Sequence, residues 1–189
     1  GFGWSTVSSI ARNGVSLLQI AILTRFLEKE DFGIIAIASL FVGFTQLFLD
    51  MGISTGIIHK QNITNKEYSS LFWLNIFIGI ILTAILYFIS PVITAGHNSK
   101  ELTEIVQILS FTMLINAIGS QQRTYCLKKL YFKRMAILEI LSAITTFIVA
   151  ILTAYYGYGA YSLAYSTLAG AIVMNICHFV IGLIKDSRL

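Results

Sequence analysis

Charge is what this chain has least of. Asp, Glu, Lys and Arg make up 12% of its 189 residues, against about a quarter in a soluble domain. So few charges cannot wet a whole surface, which excludes water as the main solvent of the chain. Proline is nearly missing as well. The single Pro91 leaves long helices free of the residue that most readily breaks them. The two cysteines, Cys126 and Cys177, stand at no metal or redox spacing, so neither a disulfide framework nor a metal site is implied, and no motif calls for a cofactor. Signal-peptide features are absent too. The chain opens on Gly1 instead of Met and stops at Leu189 just past a helical pattern, as expected of a piece of a longer protein. A net charge of +4 is compatible with nucleic acid, but the basic residues fall in short breaks between apolar runs. No basic face remains for a duplex.

What is there is apolar: 56% hydrophobic residues and a mean hydropathy of +0.79. A helix needs about 20 apolar residues to cross a hydrocarbon core of about 30 Å. Six such segments occur, at roughly 2–24, 33–57, 69–94, 103–123, 133–155 and 160–184. Short polar or turn-forming separators divide them, among them Glu28-Lys29-Glu30-Asp31, His59-Lys60-Gln61-Asn62 and Tyr156-Gly157-Tyr158-Gly159. The runs lack the alternation that membrane-spanning strands require. The expected fold is therefore all-α, a six-helix integral membrane bundle forming one domain over 1–189.

Lys and Arg mark the cytoplasmic side of such bundles. Lys60, Lys66, Arg123, Lys128, Lys129, Lys133, Arg134, Lys185 and Arg188 fall on one side, nine in all, against Arg25, Lys29 and Lys100 on the other. The bias places both termini in the cytoplasm. Trp4, Trp73 and the tyrosines around 155–165 suit an interfacial aromatic belt, and His59, His97 and His178 are expected at the interface as well.

Polar residues inside the spans carry the functional signal. Ser5, Ser8, Arg12, Ser16 and Gln19 recur at steps of three and four, so they share one face of the first helix. Ser39, Gly43, Gln46, Asp50 and Ser54 repeat the pattern in the second; Asn116 and Arg123 belong to a stripe in the fourth, and Glu139, Ser142 and Thr146 to one in the fifth. Small residues of this kind also serve close helix packing. The charges are harder to dismiss, because each costs about 2.5–3.5 kcal/mol at mid-membrane. Arg12, Asp50 and Glu139 lie within about 6 Å of one another in height at 1.5 Å per residue. If the first, second and fifth helices are neighbours, these three either neutralise one another or line a wet pathway. The segment 121–134 holds five basic residues and no acidic one; it serves topology and anionic-lipid contact, or it captures a phosphorylated headgroup.

Several short strings, taken in order, resemble a known family: Thr24-Arg25-Phe26-Leu27, Asp31-Phe32-Gly33-Ile34, Asp50-Met51-Gly52-Ile53-Ser54, Phe72-Trp73-Leu74-Asn75, Tyr131-Phe132-Lys133 and Gly157-Tyr158-Gly159-Ala160-Tyr161. The chain is similar throughout to the polysaccharide-export branch of the multidrug/oligosaccharidyl-lipid/polysaccharide flippase superfamily, nearest to the colanic-acid and teichuronic-acid exporters. Lys29-Glu30 stands where that family usually has a proline. The resemblance implies one lobe of a two-lobe transporter in the bacterial cytoplasmic membrane, not an enzyme. Its cargo would be undecaprenyl-pyrophosphate-linked oligosaccharide, flipped by alternating access among membrane lipid and other polysaccharide-assembly proteins. Under that reading Arg12 meets the pyrophosphate, Arg123, Lys133 and Arg134 recruit it, and Asp50 and Glu139 couple an ion. Ser8, Ser16, Gln19, Gln46, Asn116 and Ser142 would line the cavity. A drug or cation antiporter of the same superfamily, or a membrane-embedded lipid-linked glycosyltransferase, is the competing expectation.

Overall fold

The computed structural model describes residues 2–59, 65–95 and 99–185. The side chains of Ser8 and Asp50, and the topology markers Lys60 and Arg188, lie outside the described residues, as do the side chain of His59 and all of His97. Six helices follow in order: α1 Phe2–Leu23, α2 Lys29–His59, α3 Asn65–Thr94, α4 Lys100–Lys128, α5 Phe132–Tyr155 and α6 Tyr161–Lys185. All six expected spans are helical, and α2, α3 and α4 run up to five residues past the expected limits. Bilayer dimensions explain the excess: the apolar core sets the hydrophobic run, whereas helices continue through interfacial layers about 40–45 Å apart. Five helices are long and apolar enough to cross a membrane, at Lys29–Leu47, Ser69–Val92, Lys100–Ser120, Phe132–Tyr155 and Tyr161–Val180; α1 contributes a shorter apolar stretch, Ser9–Leu23. This is a multi-pass membrane protein.

Pro91 falls in the last turn of α3 and does not end it. Proline cannot donate to the carbonyl four residues back, here that of Tyr87. The Ser90 hydroxyl donates to that same carbonyl at 2.7 Å, and Thr94 Oγ1 donates to Ser90 O at 2.8 Å. Two hydroxyls thereby satisfy acceptors around the proline.

Helix α4 is the hub. It packs against α2, α3 and α6, while α5 packs against α6 on one side and α1 on the other. Five helices thus form an open row, α1–α5–α6–α4–α2, with α3 behind α4. The condition that the first, second and fifth helices be neighbours is half met: α1 lies along α5, but among the described residues α2 reaches them only through Phe32. The physical reason lies in Ala38, Ile34, Phe41 and Val42 of α2, which join the core around Leu102, Ile105, Val106 and Leu109 of α4. Among the described residues the row closes at one end, where Phe32 of α2 and Leu163 of α6 pack against Leu23, Leu27, Ala150 and Ala154.

That closed end is pinned by Asp31. Its Oδ1 accepts from the Ala160 N–H at the start of α6 at 3.1 Å, and its Oδ2 accepts from the Glu28 N–H at 2.9 Å. One carboxylate therefore caps two helix starts, where anionic groups are favoured. Gly159 makes the approach possible: its φ is +51°, and a Cβ there would sit 3.3 Å from Asp31 Oδ1. The outer surface is apolar, with Leu40, Phe44, Phe88 and Val92 each more than 60% exposed, as lipid contact requires.

Candidate substrate-handling site

Polar groups at bilayer depth sort into three places. The first is the face of α1. Arg12 and Ser16 are exposed and Gln19 is half-buried. Arg12 forms no ion pair with a described residue. Glu139 on α5, eleven residues below Ala150 as Arg12 is eleven below Leu23, stands at a similar height on the adjacent helix and is half-buried. The structure brings Arg12 and Glu139 onto neighbouring helices without pairing them.

The second place is the middle of the row. Asn116 Nδ2 on α4 donates to Gln46 Oε1 on α2 at 3.4 Å, and Asn175 Nδ2 on α6 donates to Asn116 Oδ1 at 3.2 Å. Three amides thereby cross from α2 to α6. Asn175 fits because position 119 is glycine: a Cβ there would lie 1.5 Å from Asn175 Oδ1. Behind them Asn75 of α3 donates to Ala117 O at 2.9 Å and to the Ser120 hydroxyl of α4. Ser142 belongs elsewhere, since its hydroxyl donates to Gly170 O at 2.9 Å in the α5–α6 contact.

The third place is the open end, where α4 finishes, α5 begins and α6 nears its end. Arg123 and Lys133 are exposed, and Arg134 is half-buried with Nε and Nη2 enclosed and unpartnered among the described residues. His178 is 1% exposed, and neither ring nitrogen has a described partner. This histidine, expected at the interface, is enclosed between helices. The opposite, Asp31 end carries a shallow groove of about 570 Å³ lined by Lys100, Glu101, Glu104, Gly157, Tyr158, Gly159 and Tyr161. The two ends thus differ in charge, acidic at one and basic at the other. No group of three or more metal-ligating side chains occurs among the described residues.

Asn75, Asn175 and His178 were not among the sequence candidates for a site. A signal did exist, since each is a polar residue that lipid would reject: Asn175 and His178 stand three apart on α6, and Asn75 leads Gly79 and Thr83 at steps of four on α3. Asp31 was noticed only as part of a string; its bond to a residue 129 positions away has no sequence signature.

An all-helical membrane protein with amides bridging its spans, and with a basic end and an acidic end, is the class that fold and site define. The chain belongs to the polysaccharide biosynthesis protein family, whose profile matches residues 22–185. It is 34% identical over 149 residues to an uncharacterised membrane protein in the cps region of Klebsiella pneumoniae, covering 79% of this chain and 31% of that protein. It is 32% identical over 147 residues to the teichuronic acid biosynthesis protein TuaB of Bacillus subtilis, covering 78% and 30%. With the lipopolysaccharide biosynthesis protein WzxC of Escherichia coli it shares 24% identity over 173 residues, covering 92% and 34%. The chain spans about a third of the length of these relatives. No solved structure matches it significantly.

Proposed function

We propose that these six helices are one lobe of an exporter that flips undecaprenyl-pyrophosphate-linked oligosaccharide across the bacterial cytoplasmic membrane by alternating access. Both termini and the basic end face the cytoplasm, in keeping with the distribution of Lys and Arg. The observation that carries this reading is the open row itself. It leaves Arg12 and Ser16 uncovered and Gln19 partly so on α1, and it places the amides of Gln46 and Asn116 between α2 and α4 at bilayer depth. Exposed polar groups at that depth need water, protein or polar cargo beside them. A second lobe facing this row, arranged as a parallel repeat, supplies the missing wall of a hydrated cavity.

The cargo sets the chemistry. A pyrophosphate is a multiply charged acceptor, and its glycan is a dense set of hydroxyls. Arg12 meets the former inside the cavity; the amides and hydroxyls of Gln19, Gln46, Asn116, Ser8 and Ser16 exchange hydrogen bonds with the latter at small net cost. Arg123, Lys133 and Arg134 gather the headgroup from the inner leaflet while the polyprenyl chain stays in lipid. Asp50 and Glu139 are the carboxylates available for ion coupling. No step makes or breaks a covalent bond, so the protein acts as a transporter and not as an enzyme.

The test uses the intact protein. Arg12→Ala and Asp50→Asn are expected to abolish surface polysaccharide in a strain that depends on this protein, with membrane levels unchanged by immunoblot. Normal export in both variants at normal levels would remove these assignments.

A further inference from the structure

The junction of α4, α5 and α6 at the basic end encloses side-chain nitrogens that have no partner among the described residues. His178 is 1% exposed, and its two ring nitrogens have no partner among the described residues. Nε and Nη2 of Arg134 are enclosed and equally unpartnered. Arg123 and Arg134 both lie within electrostatic range of the imidazole. At the first turn of α5, which carries Arg134, Tyr131 at the N-cap contributes no side-chain hydrogen bond. That end of the helix is electrostatically positive.

Buried polar groups in proteins are nearly always satisfied. What is missing here is an acceptor of negative charge with several oxygens. Residues 121–134 contain no Asp or Glu, and no carboxylate among the described residues partners these nitrogens. A phosphoryl group meets the need: guanidinium groups bind its oxygens through charge-assisted bonds, and an imidazole N–H adds one donor. Arg134 is placed to connect surface and interior, being half-buried as a residue while two of its nitrogens are enclosed.

We infer that Arg134, His178 and Arg123 form a phosphoryl-binding seat between α4, α5 and α6, in which Arg134 and Arg123 neutralise the anion and His178 donates to it from below. The inference rests on the export reading for its physiological source, the diphosphate of the lipid carrier. It adds to that reading a buried histidine and confines the headgroup to one junction instead of the whole basic segment.

Farnesyl diphosphate binding to the intact protein in phosphatidylcholine nanodiscs, followed by isothermal titration calorimetry, tests the seat. Arg134→Gln and His178→Gln are each expected to weaken binding about tenfold, the loss of one charge-assisted or buried hydrogen bond. Arg123→Gln, at an exposed position, is expected to weaken it about threefold. Competition by inorganic pyrophosphate supports the seat with the diphosphate as ligand. Competition only by phosphatidylglycerol in the nanodisc supports it with a bilayer phospholipid as ligand. Wild-type affinity in Arg134→Gln and Arg123→Gln would overturn the inference, even where His178→Gln fails to fold. Wild-type affinity in a His178→Gln protein of unchanged melting temperature would overturn the role of the histidine. Export is read separately in cells: a protein that exports but binds none of these probes defeats this inference alone, and one that binds but does not export defeats the export reading alone.

Discussion

Helices α4 and α2 cross the same slab with very different surroundings. Half of the α4 span is buried within the unit, against 6% of the α2 span. Yet α4 is among the more polar of the six, with Gln107, Ser110, Thr112, Asn116, Ser120 and Thr124 along it, while the described part of α2 exposes Leu40, Phe44 and Leu47. In a soluble protein the order would be reversed. Here the bilayer accepts leucine as readily as any protein interior does, so burial is decided by which residues need polar partners and which are small enough for close approach. The buried side of the molecule combines large aliphatic residues such as Leu102, Ile105, Val106 and Met113 with hydroxyls, amides and small side chains; the open side is left polar on α1 and greasy on α2.

Changes that fill the close contacts of α4 should have the largest effect. Gly119→Leu drives a side chain into Asn175 and breaks the amide bridge to Asn116, and it is expected to cost about 3 kcal/mol, read as lowered thermal unfolding in detergent. A full-size melting temperature would show that α4 and α6 are not in tight contact. Asp31→Ala comes next. It strips acceptors from two helix starts and should cost about 2 kcal/mol in the same assay; an unchanged melt would mean the cap contributes nothing. Gly159→Ala, at φ +51°, is expected to cost about 1 kcal/mol and to leave expression intact. At the low end, Leu40→Ala on the lipid side of α2 and Arg12→Gln on the open side of α1 should each shift stability by less than about 0.5 kcal/mol. Arg12→Gln sharpens the contrast because export should vanish while the melt stays put. A large loss of stability there would make Arg12 structural.

Much of the fold was legible because the bilayer imposes one strict requirement. Six apolar runs of spanning length, cut by strings such as Glu28-Lys29-Glu30-Asp31, admit little but six helices. The faces of those helices were legible too, since Arg12, Ser16 and Gln19 recur at helical spacing. Which face meets which was not. A stripe that lipid rejects is equally content against any polar neighbour, so nothing in Asp50 or Gln46 foretold that α2 would side with α4 and leave α1 and α5. Isolated polar pairs fared worst: Asn175 makes the central amide bridge and His178 sits enclosed beside Arg134, and their spacing of three marks a shared face without telling which neighbour it meets. The basic segment 121–134 was visible as charge, whereas the enclosed imidazole behind it becomes visible only when three helix ends are brought together.

The carboxylate of Asp31 also fixes how the unit can bend. Because the described residues bring α1 and α2 together at the Phe32 seam beside it, a tilt of α2 about that seam changes the gap at their far ends. With a lever arm of about 30 Å for a 20-residue helix, a tilt of about 10 degrees opens the far end by about 5 Å, roughly the width of one sugar ring, while the joint itself hardly stirs.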